Sequence, residues 1–226
     1  MIGLAIHTSS PELGLALTHL DNSEIHNLKS RGLNSPTSET TRRHQIWPLG
    51  RDLTQYLHVC LAEFIYPHAW TDLAFLAVAK GPGGFTGTRI GVVVARTLAQ
   101  QIAIPLFGVS SLAAIAQHYY LSAPESTSIT DLAVVLRAQR EEVFGALYRP
   151  HQTGLTTLIP EAVRTPADWA ACLDAQSHPY ELIAAEGGLA ASVTGVLSLA
   201  HLQWMSGDRP AWQTVLPFYG QHPVHR

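Results

Sequence analysis

The sequence predicts an α/β protein made of two similarly built halves, and three observations carry that prediction. A short uninterrupted apolar run, Leu73 to Ala79, passes through a glycine-rich bend into an apolar helix pattern from Thr88 to about Gln101. A second short apolar run, Ile102 to Gly108, follows directly. Runs of that kind belong to strands covered on both faces of a sheet, and strands alternating with helices belong to layered α/β folds. Hairpin patterns open the chain and recur about 130 residues later, although the two halves do not visibly repeat in sequence.

The first hairpin is Ile2 to Thr8, a turn at Ser9-Ser10-Pro11-Glu12, and a return over Leu13 to His19 with Leu13, Leu15 and Leu17 on one face. Asp21 to Ser38 is polar and reads as a third strand followed by a loop. Ile46, Leu49, Leu53, Leu57, Cys60, Leu61 and Phe64 are spaced by three and four, which predicts a helix over roughly Glu39 to Phe64 with Pro48 in its first turn. In Gly81-Pro82-Gly83-Gly84-Phe85-Thr86-Gly87, four glycines in seven residues mark a backbone bent where a Cβ would obstruct it, or closely approached by another group. Thr88 is placed as the cap of the helix that follows. Ser110 or Ser111 caps a helix to about Tyr120, and Leu121 to Thr130 reads as a linker. The second hairpin pairs Leu132–Ala138 with Val143–Tyr148. Thr165-Pro166 starts a helix with a cap and then proline at the first helical position. Leu182 to Ala185 is a strand, Ala190 to about Met205 a helix stopped by Gly207-Asp208, and Leu216 to Tyr219 an extended tail.

The helix from Thr88 has more apolar surface than one sheet contact needs. Arg89, Arg96 and Gln100 share a narrow polar stripe. Ile90, Val93, Val94 and Thr97 form a face suited to the sheet, while Gly91, Ala95 and Ala99 recur every four residues on another face, where a second helix can approach closely. An arginine at Ala95 is therefore expected to abolish association without unfolding the monomer. A valine at Gly84 is expected to harm folding or docking through backbone geometry.

Composition narrows the function classes. With 226 residues, 46% hydrophobic and 14% charged, the chain has ample interior for a core. A formal net charge of −3 gives no general attraction to nucleic acid. Cys60 and Cys172 make neither a disulfide framework nor a thiolate metal site, and point to a reducing compartment. No apolar run approaches 18 residues and no signal segment precedes the first strand, so the expectation is a soluble cytoplasmic protein without membrane contact. Twelve histidines are present but none is spaced HxxxH, and they read as scattered surface residues rather than a metal site. Ser9, Ser10, Ser110 and Ser111 sit at element ends outside any GxSxG elbow and read as turn and cap residues. Gly81, Gly83, Gly84, Phe85, Thr86 and Gly87 either form a tight strand-to-helix turn or partner contact, or cradle a phosphate at the helix N-terminus; their spacing fits neither GK[ST] nor GxGxxG.

GPGGFTGTRIGVVVARTLA resembles the signature of the TsaB (YeaZ) family, GPGSFTGxRIGxxxAxGLA. LAIHTSSPELGLAL resembles that family's opening LAIDTSTxxxSVAL, HQIWPL its HxxxLLPL, LFGVSSL its GVSSL, and Leu216 to Tyr219 its terminal PxYLR. The match is dense to about residue 115 and thin beyond. The resemblance implies a two-domain actin-like (ASKHA, ribonuclease H-like) fold with mixed sheets flanked by helices. The boundaries expected are 1–108 for a first domain carrying the glycine loop and partner helices, and 109–226 for a second, diverged domain. It further implies a non-catalytic scaffold subunit in tRNA threonylcarbamoyladenosine formation, partnered by the catalytic paralogue TsaD and the ATPase TsaE. The tRNA would be met indirectly through the complex; a third reading is a stand-alone homodimer with regulatory binding that uses the same helices on itself. The partner surface is expected to include Arg89, Gly91, Val92, Ala95, Arg96, Ala99, Trp47 and His44, with no catalytic residue, metal or cofactor.

Two departures from the family pattern bear on chemistry. His7 stands where the first strand usually carries Asp. In LRAQREEVF, Arg137 and Gln139 stand where IDARxxEVY has Asp and Arg. Hydrated Mg²⁺ needs oxygen ligands, which a histidine and an arginine do not supply. The alternative reading is a small ASKHA-type ATP-dependent phosphotransferase that uses the glycine loop for phosphate.

Overall fold

The computed structural model describes residues 1–20, 42–124 and 130–220. The expected strand and loop over Asp21 to Ser38, and residues 125–129 of the expected linker, lie outside the described residues.

The first sheet has the order β3-β2-β1-β4-β5, formed by β1 (Ile2–His7), β2 (Leu13–His19), β3 (Arg42–Trp47), β4 (Leu73–Ala79) and β5 (Leu106–Val109). β1 pairs antiparallel with β2, Leu4 opposite Leu17, and β2 pairs antiparallel with β3. β4 runs parallel to β1 and to β5. Every residue of β4 is buried, as its uninterrupted apolar run predicts. The second sheet has the order β8-β7-β6-β9, with β6 (Asp131–Arg137), β7 (Val143–His151) and β8 (Gly154–Arg164) antiparallel and β9 (Tyr180–Ala185) parallel to β6. A three-strand meander continued by a parallel strand thus occurs twice.

Among the described residues, five α-helices cover these sheets. α1 (Leu53–Ile65) and α2 (Phe85–Ile102) lie on one face of the first sheet, where Leu57, Leu61, Val92, Ala95 and Ala99 join Leu4, Ile6, Leu15 and Leu76 in one core. The opposite face, built from Ala5, Ala16, Phe75, Ala77 and Phe107, receives α5 (Val193–Met205) through Val193, Val196 and Ala200. α3 (Ser111–Ser122) packs Leu112, Ile115 and Ala116 on Leu132, Val134 and Tyr148 of the second sheet, and α4 (Pro166–Asp174) covers its other face with Trp169 and Leu173. α3 and α5 meet between the sheets, where the Gln117 amide donates to Ser198 Oγ (3.1 Å) and His118 Nδ1 lies 2.7 Å from Thr194 Oγ1.

Three local expectations are corrected. Arg42–Trp47 is an edge strand, so the helix expected from Glu39 starts only at Leu53. Pro48 removes a backbone donor and disfavours helix at Trp47, while Arg42 to Trp47 find partners on β2. α2 starts at Phe85 with Gly84 at its cap, and Thr88 lies one turn inside, its backbone N–H donating to Gly84 O (2.9 Å). His7 and His201 are core residues rather than surface ones. Ser110 caps α3 and Thr165 caps α4, both as expected.

Candidate partner-docking surface and the glycine loop

The glycine loop is held by its own chain. Gly84 N–H donates to Ser9 O at 2.7 Å, and Thr8 Oγ1 donates to Gly87 O at 2.8 Å. A Cβ at Gly83 or Gly87 would come within 3.0 Å of the Ser9 or Thr8 carbonyl, a distance real Cβ atoms do not adopt. Gly84 differs, because a Cβ there would meet only Ser9 O at an ordinary 3.5 Å. A Cβ at Gly84 therefore meets no backbone clash of the kind that holds Gly83 and Gly87. On the other side, Ser111 N–H donates to Gly81 O (2.8 Å) and Phe218 N–H to Lys80 O (2.7 Å). The glycines serve a backbone-to-backbone contact with the β1–β2 turn. Phe85 and Thr86 form the exposed first turn of α2.

α2 has its two apolar faces, but they are used the opposite way round. Gly91, Val92, Ala95 and Ala99, expected at a partner surface, are buried on the first sheet. The reason is thickness: Gly91 lies so close to Thr8 that any Cβ would overlap its hydroxyl, and only the small-residue face lets the helix seat there. The face with Ile90, Val93, Val94 and Thr97 points away from the sheet. Val93 is 55% exposed, and Ile90 and Val94 are half-buried at the edge of the core. In the same layer, α1 exposes Tyr56 (44%) and Val59 (39%). These exposed apolar side chains belong to the two helices that cover one side of the first sheet.

The polar stripe of α2 meets the chain's own tail. Arg89 Nε donates to the Tyr219 hydroxyl (3.1 Å), and its guanidinium lies 4.4 Å from the Phe85 ring centre and 5.7 Å from that of Tyr219. Arg96 lies 5.4 Å from the Trp212 ring centre. Val215 between them enters the core of the first sheet. The segment from Trp212 to Tyr219 thus straps α2 along one flank. His44 and Trp47 lie on the edge strand β3 instead of a helix. His44 is exposed, whereas Trp47 is half-buried edge-on against Phe64, with ring centres 6.0 Å apart.

The positions where the family pattern carries carboxylates hold different chemistry. His7 is fully buried, and desolvation pushes its pKa down to about 3, so the ring is neutral. Its Nδ1 accepts from Ser9 N–H (3.3 Å). Arg137 is exposed at the end of β6, and Gln139 begins the hairpin turn to β7. A neutral buried imidazole and a guanidinium do not fit a magnesium-nucleotide site. A cluster nearby was not foreseen from the sequence, because no strand was expected over 154–164. Ser110 Oγ donates to Glu161 Oε2, with Tyr148 and Lys80 close by. Burial pushes the Glu161 carboxyl above its usual range, against the Ser110 hydrogen bond and the Lys80 charge. This contact links the β5–α3 junction to the second sheet.

A meander continued by parallel strands, repeated in a second sheet and joined through crossing helices, defines the actin-like, ribonuclease H-like (ASKHA) class, and this chain has that fold. Residues 52–207 match the family model described as "TsaD: tRNA N6-adenosine threonylcarbamoyltransferase". The chain is 36% identical over 112 residues to the tRNA threonylcarbamoyladenosine biosynthesis protein TsaB of Bacillus subtilis (strain 168), covering 48% of this chain and 44% of that protein. It is 36% identical over 85 residues to the protein of the same name from Escherichia coli (strain K12), covering 38% and 35%. The matched stretches therefore span less than half the length of these curated relatives. Among solved structures, an uncharacterized protein from Pseudomonas aeruginosa with similarity to peptidase YEAZ superposes with a TM-score of 0.72 at 22% identity, covering 97% of this chain and 99% of that one, which speaks to the fold. The chain belongs to this TsaD-type family, and the curated relatives that match part of it carry the name TsaB. Among the described residues no helix is long and apolar enough to cross a membrane.

Proposed function

We propose that this chain is a non-catalytic subunit of a cytoplasmic assembly that forms threonylcarbamoyladenosine in tRNA, where it holds and activates a TsaD-like catalytic subunit. Its relatives carry the name of that biosynthesis. The observation that carries the docking role is the outer face of α2, which is exposed among the described residues with Val93 more than half exposed, together with the exposed Tyr56 and Val59 of α1. Two helices covering each other in this way bury on the order of 800 Å² per partner, the scale of a specific interface. On this reading residues 1–108 form a unit with both the glycine loop and the docking helices, and 109–226 form a second one, from which α5 returns to cover the first sheet. A TsaE-like ATPase supplies nucleotide turnover, and tRNA is met through the complex.

The phosphotransferase alternative has less support, since the loop glycines are occupied by Thr8 and Ser9 and the two strand-end positions lack carboxylates. The test is co-expression of the full chain with a TsaD-like partner from the same cell. Wild type is expected to co-elute with it, and Val93→Arg to elute as a folded, separate chain. Retained association of Val93→Arg would overturn the docking face. Turnover of Mg-ATP by the isolated chain would overturn the non-catalytic role. A chain that self-associates through this face and ignores the partner would replace the heterodimer with a homodimer.

A further inference from the structure

At the end of the first sheet, His19 and His68 come together from positions 49 residues apart. His19 closes β2, and His68 follows α1, anchored by its N–H donating to Ile65 O (2.9 Å). Their Nε2 atoms are 3.2 Å apart and the rings stand edge to face at 81°. Both side chains are half-buried and reachable from solvent.

That separation has a second meaning besides a shared proton. Imidazole nitrogens bind zinc at about 2.0–2.1 Å, and two nitrogens 3.2 Å apart then subtend about 100° at the ion, near the tetrahedral angle. We propose that His19 and His68 form a two-histidine chelate for a transition-metal dication of the Cu(II), Ni(II) or Zn(II) type, with water completing the coordination. Imidazole selects these ions over Mg²⁺ and Ca²⁺, which take oxygen ligands.

The surroundings agree in part. Burial, the neighbouring His19 and Arg43, and the N-terminal amine hold His68 below its usual pKa. Asp72 supplies negative charge, and its Oδ2 is committed to Ala69 N–H at 2.9 Å. Arg43 opposes a cation, but its guanidinium is engaged by the carbonyls of Phe64 and Tyr66. Among the described residues no group of three or more His, Cys, Asp or Glu is placed for a metal ion, so this is a pair and not a closed structural site.

The test titrates the untagged full chain with CuCl₂, NiCl₂ and ZnCl₂ separately, by calorimetry and thermal melting. One first equivalent is expected, bound more tightly for Cu(II) than for Ni(II) or Zn(II). It should weaken at least tenfold in both His19→Ala and His68→Ala, and survive in His58→Ala on the exposed side of α1. The Cu(II) electron paramagnetic resonance spectrum should show two equivalent nitrogens in wild type and lose that pattern in each variant. Metal should raise the melting temperature of wild type but of neither variant. A first equivalent that survives either substitution, or no saturable binding by wild type, would overturn the site.

Discussion

Gly91 of α2 lies against the side chain of Thr8, so close that a methyl group at Gly91 would overlap the threonine hydroxyl. The same hydroxyl donates to Gly87 O one turn earlier. The helix is thus seated on the end of β1 by its thinnest face, and its thicker apolar face is turned outward.

This seating predicts a graded response to added methyl groups. Gly87→Ala and Gly91→Ala push Cβ atoms into the Thr8 backbone and side chain, and each is expected to cost about 2 kcal/mol or more. Gly84→Ser meets ordinary contact distances and supplies a side-chain cap that α2 lacks, so it is expected to be neutral or to stabilise by a few tenths of a kcal/mol. Urea unfolding of the three variants checks the order.

Helix faces can be told apart by charge insertion. Ala95→Arg places a guanidinium into the core of the first sheet, and a large loss of folded protein is expected. Val93→Arg is expected to leave the melting temperature unchanged while removing association, because Val93 is exposed and arginine favours helix. Circular dichroism melts paired with size-exclusion chromatography separate the two. An unfolded Val93→Arg would contradict the placement of that face.

The β6–β7 hairpin turns through Arg140 and Glu141, both left-handed, with φ of +57° and +59°. Two-residue hairpin turns of this kind favour Asn-Gly, since an L side chain in the left-handed region costs roughly 1–2 kcal/mol. Glu141→Gly is expected to raise stability by about 1 kcal/mol. A lower denaturation midpoint for this variant would count against the turn.

Acid should destabilise this protein from near neutrality. Burial lowers His7 to about 3 and His201 to about 4, against 6.5 when unfolded. Between those limits the unfolded chain binds protons that the folded chain does not, so stability is full above pH 6.5 and falls as pH drops toward 4. The slope is about 1.4 kcal/mol per pH unit for each histidine. The raised Glu161 works with the opposite sign, losing its contribution as pH rises above the usual carboxyl range. His201→Leu is expected to flatten the dependence between pH 7 and 5 in urea melts. An unchanged slope would show that His201 is not buried neutral.

The glycine bend, the buried run Leu73 to Ala79, both hairpins and the Ser110 and Thr165 caps were legible in the sequence, because each depends on conformational preferences within a few residues. Periodicity also showed that α2 has two apolar faces. It did not show which one the sheet takes, since that depends on how near Thr8 comes once β1 is placed. The edge strand Arg42–Trp47 was hidden for a related reason: its residues are mostly polar and exposed, and only pairing with β2 makes them a strand. His19 beside His68 and Ser110 beside Glu161 join residues 49 and 51 apart, and no local pattern encodes such meetings. By itself the sequence determined where the apolar strands and the helices lie, though not β3 or β8, and how much apolar surface they carry. Tertiary packing alone decided which surface is spent inside the chain and which stays exposed, because close approach, unlike propensity, belongs to pairs of distant residues.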